Sequence, residues 1–278
     1  MITDVKLLFL DIDGTLINSE KQITPRTKAA IHKVRQRGVS VVLISARMPK
    51  SLEHICKQLE IPVNIVAFNG SVMKLDLLGG KTVEMPEEQL LSHGLVQQCH
   101  EVAKDYADTS INIYSTDRWL TNNTDRWTQR EMSNTMVDAD ITDLTSDNIA
   151  QHLAGMHVHK VLLRSNPATV QLIADQLSAH QLTTQANTTN TRNKLVELTP
   201  HGVDKGKAVR TIGELLGVPV SRMMAFGDAD NDVEMLDVVD YGFAMAGCSD
   251  RLRAAAYEVV GSNNEEGVAK VLEREFDL

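Results

Sequence analysis

Two short segments concentrate carboxylates where a chain turn alone would not need them: Asp11-Ile12-Asp13-Gly14-Thr15 and Gly227-Asp228-Ala229-Asp230-Asn231-Asp232. Each has an ordinary reading by itself. Asp-x-Asp-Gly can be a turn with side-chain caps, and Asp228, Asp230 and Asp232 can cap a helix N-terminus and favour its dipole. Bringing Asp11, Asp13, Asp228 and Asp232 together would be self-repulsive unless a cation intervened. An oxygen-only donor set of this kind suits Mg²⁺. At such a site a carboxylate can attack the phosphorus of a phosphate ester only if the ester's own negative charge is neutralised by metal and by fixed donors. Lys205 and Ser45 can supply such donors, although a lone helix lysine is ordinarily solvated and a lone serine after a strand is ordinarily a cap. An EF-hand does not fit, because the twelfth position counted from Asp11 is Gln22 and the preceding residues read as a strand.

The elements that must position these residues follow from the apolar pattern. Val5 to Leu10 is a nearly continuous apolar run of the kind found in a buried parallel strand, and Asp11 follows it directly. Thr24-Pro25 reads as cap and first helical position and Gly38 as the stop, giving a helix over 25–37. A strand from Val39 to Ile44 then leads into Ser45-Ala46-Arg47, Pro49 opens a helix to about Leu59, and Ile65 to Phe68 makes a third strand. This alternation predicts an α/β fold, a doubly wound, mostly parallel sheet with a Rossmann-like core. From about Thr82 to Asn193 the rhythm changes: a helix over 87–105, a polar strand pair around Ile111–Leu120, a strand over His157–Leu163, a helix after Pro167 and a Thr/Asn-rich stretch over 183–193. These residues read as an inserted α+β domain, 82–193, interrupting a core made of 1–81 and 194–278. The alternation resumes with a strand at Leu195–Leu198, a helix at Asp204–Leu216, a strand at Arg222–Phe226, a helix at Asn231–Val238, a strand at Tyr241–Met245 and a last helix after Glu265. In open α/β sheets ligands bind beyond the carboxyl ends of the strands, which is where Asp11, Ser45, Arg47, Lys205 and Asp228 fall.

Bulk properties narrow the partners. A length of 278 residues suits one large and one smaller domain, and a 42% hydrophobic fraction supplies an ordinary core. A net charge of −9 with scattered Lys and Arg offers no footprint for nucleic acid. The apolar run before Asp11 is too short for a signal peptide or membrane span, so a cytoplasmic protein without a membrane partner is expected. Cys56, Cys99 and Cys248 fit reduced thiols.

Taken in order, strand-DIDGT, strand-ISAR, GVDKGKA and AFGDADNDVEML resemble the four motifs of the haloacid dehalogenase superfamily. The tail, with GFAMAGCSDRLRAAAYEVV and NNEEGVAKVL, is similar to its Cof-type sugar-phosphatase branch, and the insertion lies where that branch carries its cap. The resemblance implies a magnesium-dependent phosphatase acting on a small phosphorylated metabolite such as a sugar phosphate. Asp11 would attack phosphorus and become an aspartyl-phosphate, and Asp13 would protonate the leaving alkoxide and then activate water. Ser45 and Lys205 would bind phosphoryl oxygens, with Lys205 also orienting Asp11. Asp228 would bind Mg²⁺ with Asp11 and the backbone carbonyl of Asp13, while Asn231 and Asp232 would complete the surrounding shell. Gly14 joins Ser45, Lys205 and Asn231 as a candidate phosphate-binding residue. Ser45 and Ala46 stand where Thr and Gly are commoner, and Asp204 and Asp230 add charge the family pattern often lacks.

Arg47, Asn69 and Gly70 are candidate contacts to substrate or cap, and Arg164 and Arg192 weaker ones within the insertion. His152, His157 and His159 lack the neighbouring ligands of a zinc site, and Gly202 to Ala208 is no P-loop. Tyr114, Trp119 and Trp127 could stack on a sugar or simply pack. A phosphomutase and a non-hydrolytic phospho-acceptor switch stay open as alternatives. Dehalogenation fits less well, since a halide needs no general acid and Asp13 would be idle.

Overall fold

A computed structural model describes residues 4–76, 79–106, 108–141, 143–190 and 195–278. The chain begins with strand β1 (Leu7–Leu10), helix α1 (Pro25–Gln36), β2 (Ser40–Ile44), α2 (Pro49–Leu59), β3 (Asn64–Ala67), β4 (Val72–Leu75) and β5 (Lys81–Glu84). It continues through α3 (His93–Ala103), β6 (Ser110–Tyr114), β7 (Trp119–Thr121), α4 (Arg126–Thr135), β8 (Asp140–Ile141), α5 (Ile149–Leu153), β9 (Lys160–Arg164), α6 (Pro167–Ala179), β10 (Asn187–Asn190) and β11 (Leu195–Thr199). It ends with α7 (Lys205–Leu216), β12 (Met223–Gly227), α8 (Val233–Val238), β13 (Tyr241–Met245), α9 (Asp250–Ala255), β14 (Glu258–Val260) and α10 (Gly267–Phe276). The contacts divide into two units, Met1–Arg47, Leu52–Val83 and Val203–Leu278 in one, and Met48–Ser51 with Glu84–Gly202 in the other.

The first unit holds an eight-stranded sheet in the order β14-β13-β12-β1-β2-β3-β4-β5. Strand β1 lies parallel to both β12 and β2, and the pairings β2·β3, β12·β13 and β13·β14 are parallel too, whereas β3·β4 is antiparallel. Every residue of β1 is buried, as expected for a strand covered on both faces. Helix α1 starts as its sequence signals: the Thr24 hydroxyl accepts from Thr27 N at 3.2 Å, and Pro25 follows in the first turn, where its missing N–H costs nothing.

The second unit holds a six-stranded sheet, β10-β11-β9-β6-β7-β8. Ile111 and Ile113 of β6, Val161 and Leu163 of β9, and Val196 and Leu198 of β11 share one face with Val96 and Cys99 of α3 and Val170, Ile173 and Leu177 of α6 in one apolar cluster. This is the period-two pattern of a sheet with a single apolar face.

Two expectations need correction. The helix expected over 87–105 is a short 3₁₀ turn at Glu87–Gln89 followed by α3, because Leu90 is extended and Ser92 caps a fresh helix through Leu95 N at 3.2 Å. The strand Leu195–Leu198, assigned from sequence to the resumed core, is β11 of the six-stranded sheet, antiparallel to β9 and β10. Its alternating burial marks a half-buried strand rather than a central parallel one, so the first unit resumes at Val203 and not at 194. Part of the Thr/Asn-rich stretch forms β10, whose polar residues are tolerated on an edge strand.

Candidate active site

Strand β1 delivers Asp11 to the carboxyl edge of the eight-stranded sheet, where Asp11 N extends the ladder by donating to Phe226 O at 3.1 Å. The chain then folds tightly: the carbonyl of Ile12 accepts from Leu16 N and Ile17 N, each at 3.1 Å. Gly14 sits at φ +88°, and a Cβ there would lie 2.3 Å from Asp228 Oδ2, so both the turn and the neighbouring carboxylate require glycine. Thr15 Oγ1 donates to Asp228 Oδ1 at 3.1 Å. The DIDGT segment carried that threonine in plain view, yet sequence reasoning gave it no role.

On the far side, β12 ends at Gly227 and Asp232 folds back over it, its Oδ2 accepting from the backbone N–H groups of Asp228 and Ala229 at 3.0 Å each. Helix α7 begins at Lys205 behind the cap Asp204, whose Oδ1 accepts from Lys207 N at 2.7 Å. Lys205 is fully buried, and its ammonium donates to Asp11 Oδ1 and to Asp232 Oδ1, each at 2.5 Å. Carboxylate oxygens of Asp11, Asp228 and Asp232 lie within 4.8 Å of one another.

The electrostatics of this cluster are unbalanced. Burial pushes the Asp11 carboxyl well above the carboxylate range; the Lys205 ammonium opposes this, and the charges of Asp232 and Asp228 add to it. Asp228 is raised for the same reasons, burial first and Asp232 next. Burial works against the Lys205 ammonium, but Asp11 and Asp232 outweigh it and hold its pKa above the usual lysine value. One ammonium faces three carboxylates, and the donors are all hard oxygens, so the residues fit a divalent cation of the Mg²⁺ type.

Asp13 does not join that cluster. Its carboxylate is 44% exposed and is clamped by Arg47, with Nε donating to Oδ2 and Nη2 to Oδ1, both at 2.7 Å, and by Lys21 Nζ donating to Oδ1 at 3.2 Å. Its partial burial would raise the pKa, but the hydrogen bonds and charge of Arg47, then of Lys21, prevail and hold it below the ordinary value. The expectation that four carboxylates converge is therefore corrected to three, because two cations draw the Asp13 side chain elsewhere. Lys21 was missed, since an exposed lysine in a polar loop carries no signal of such a role. Arg47 keeps one buried nitrogen, Nη1, without a hydrogen-bond partner.

Ser45 is buried at the end of β2, its Oγ accepting from Arg47 N at 3.2 Å and its carbonyl accepting from Asn69 N at 2.9 Å. Asn69 Oδ1 accepts in turn from Asn231 Nδ2 at 3.3 Å. Ser45, Arg47, Asn69 and Asn231 are thus joined by hydrogen bonds, and Arg47 links them to Asp13. The two surplus aspartates have local partners: Asp204 caps α7, and Asp230 accepts a hydrogen bond from Ser249 Oγ.

Within the second unit, Tyr114 and Trp119 are buried and stacked on each other at 5.3 Å, and Arg164 pairs with Glu131 at 3.1 Å. His157 faces Glu84 and Glu87 through opposite ring nitrogens, while His159 Nε2 meets Thr116 Oγ1 at 3.1 Å, which is no common metal geometry. Trp127 lies under the Arg126 guanidinium at 4.5 Å, and Arg192 falls outside the described residues. No helix among the described residues is long and apolar enough to cross a membrane.

The haloacid dehalogenase-like hydrolase family matches residues 8–272 of this chain. Among curated relatives, the 5-amino-6-(5-phospho-D-ribitylamino)uracil phosphatase YitU of Bacillus subtilis is 28% identical over 100% of both chains. An HMP-PP phosphatase of Cronobacter sakazakii is 26% identical, covering 96% of this chain and 94% of its own. Among solved structures, a haloacid dehalogenase-like hydrolase from Bacteroides thetaiotaomicron superposes with a TM-score of 0.85 at 25% identity, covering 97% of this chain and 99% of the other.

Proposed function

The chain belongs to the haloacid dehalogenase-like hydrolases of Cof type, and we propose that it is a Mg²⁺-dependent phosphatase of small phosphorylated metabolites, sugar phosphates above all, working through an aspartyl-phosphate. The observation that carries this reading is Lys205, fully buried between Asp11 and Asp232 with Asp228 alongside. A lysine so placed fixes one oxygen of Asp11 and leaves the other to attack phosphorus. Asp11 and Asp228, with Asp232 beside them, would hold Mg²⁺, which when bound supplies positive charge against the phosphoryl oxygens and the clustered carboxylates.

The protein's own groups account for the remaining steps. As Asp11 bonds to phosphorus, the ester P–O bond breaks and the leaving alkoxide takes a proton from Asp13. Asp13 must first exchange its pairing with Arg47 and Lys21 for that proton. Now ionised, it takes a proton from the water that attacks the aspartyl-phosphate, which frees inorganic phosphate and restores Asp11. Ser45 and Asn231 donate to the phosphoryl oxygens. The relatives that act on a phosphoribitylamino-uracil and on HMP-PP support a small metabolite as the substrate class.

Turnover of p-nitrophenyl phosphate with Mg²⁺ is the test. Activity should vanish with excess chelator and return with Mg²⁺, and Asp11→Asn should lower kcat by about a thousandfold or more. Chelator-resistant hydrolysis, or a fully active Asp11→Asn variant, would refute the mechanism. Multiple turnovers with release of inorganic phosphate separate hydrolysis from a phosphomutase, which would return the label to another hydroxyl, and from a switch, which would label once.

A further inference from the structure

The segment after β3 carries backbone strain at Phe68. Phe68, Asn69 and Gly70 have φ of 48°, 56° and 123°, three consecutive residues on the left-handed side. Glycine and asparagine tolerate this region, but it is costly for a bulky residue like Phe68 and persists there only where surroundings over-determine it.

Those surroundings are the segments that hold the proposed phosphate donors. Phe68 N donates to Arg47 O and Asn69 N to Ser45 O, both at 2.9 Å, so the turn grips the loop after β2 by its backbone. Gly70 lies against the first turn of α7: an added Cβ would sit 3.0 Å from Ala208 Cβ and 3.2 Å from Asp204 O, on the turn that begins with Lys205. The Asn69 side chain reaches the third segment, accepting from Asn231 at 3.3 Å. A turn serving only to connect β3 to β4 would need its backbone bonds, but not a side-chain bond to a residue 162 positions away.

We propose that the Phe68-Asn69-Gly70 turn sets the register of the phosphate-binding donors against one another, with Asn69 a positioning residue that acts through Asn231. This rests on the phosphatase reading above. Asn69→Gly suits the left-handed backbone and keeps the N–H to Ser45, removing only the tie to Asn231.

The experiment is a double-mutant cycle of Asn69→Gly and Asn231→Ala, read as kcat/KM for p-nitrophenyl phosphate, inhibition by inorganic phosphate, and melting temperature. Asn69→Gly should melt within a few degrees of the wild type while kcat/KM and phosphate affinity each fall about tenfold, and the double variant should be no worse than Asn231→Ala alone. Three results would overturn the proposal: unchanged kinetics in Asn69→Gly, additive losses in the double variant, or a kinetic loss tracking a large drop in melting temperature. Wild-type protein lacking Mg²⁺-dependent turnover would instead sink the phosphatase reading itself, so the two failures are distinguishable.

Discussion

Lys205 has no access to solvent, and its ammonium is the counter-charge for two buried carboxylates. Removing one member of such a set strands the others without compensation, so Lys205→Met should destabilise the first unit by about 3–5 kcal/mol in metal-free buffer, seen as a lower urea midpoint. An unchanged midpoint would mean that the cluster is neutralised another way. The grouping of Asp11, Asp228, Asp232 and Lys205 was legible in the sequence because each follows an apolar strand or opens a helix in a fold whose strand ends converge. The direction taken by Asp13 was not legible. Two residues from Asp11, it could have turned into the cluster or away, and what decides is the placement of Arg47 and Lys21, which depends on loops without periodic pattern. Nor could composition show that the surplus charges of Asp204 and Asp230 are engaged by a helix cap and by Ser249.

Strands β1, β2, β3, β12 and β13 were readable because buried parallel strands are short apolar runs bounded by turn residues, and all their boundaries lie within two residues of the expected ones. Strand β11 shows the opposite case: Leu195–Thr199 reads as a strand, but which sheet it joins depends on a pairing partner that local sequence does not name. Its neighbour β9 is preceded by His159, fully buried in the second unit. Burial disfavours the imidazolium, Glu84 opposes this and His157 adds to it, and the pKa is pushed down to about 4. The unfolded chain therefore binds the proton more readily, near an ordinary value of about 6.5. The stability this group contributes is complete above about pH 6.5 and is lost progressively as pH falls towards 4, an effect on the order of 2–3 kcal/mol. Trp119 and Trp127, the 2 tryptophans of the chain, both lie in this unit, so their fluorescence in urea reports it selectively. Between pH 7.5 and 5 the wild-type midpoint should fall, and His159→Gln should flatten that dependence; parallel curves would assign the loss to other groups.

The second unit has its own apolar cluster, built from α3, α5, α6 and one face of its sheet. Residues 84–202 expressed alone should therefore melt cooperatively and show no phosphatase activity, since Asp11, Lys205, Asp228 and Asp232 all lie elsewhere. A non-cooperative melt by circular dichroism would contradict the autonomy of that cluster. The pairing of β1 with β12 sets an order of assembly during synthesis. Leu7 waits for Met223, about two hundred residues downstream, which at ribosomal speeds of roughly 5–20 residues per second leaves one edge of β1 bare for roughly 10–40 s. The inserted residues emerge within that interval, so on the ribosome they can fold first, while the half-finished sheet keeps a row of unpaired N–H and C=O groups open to pairing with another chain.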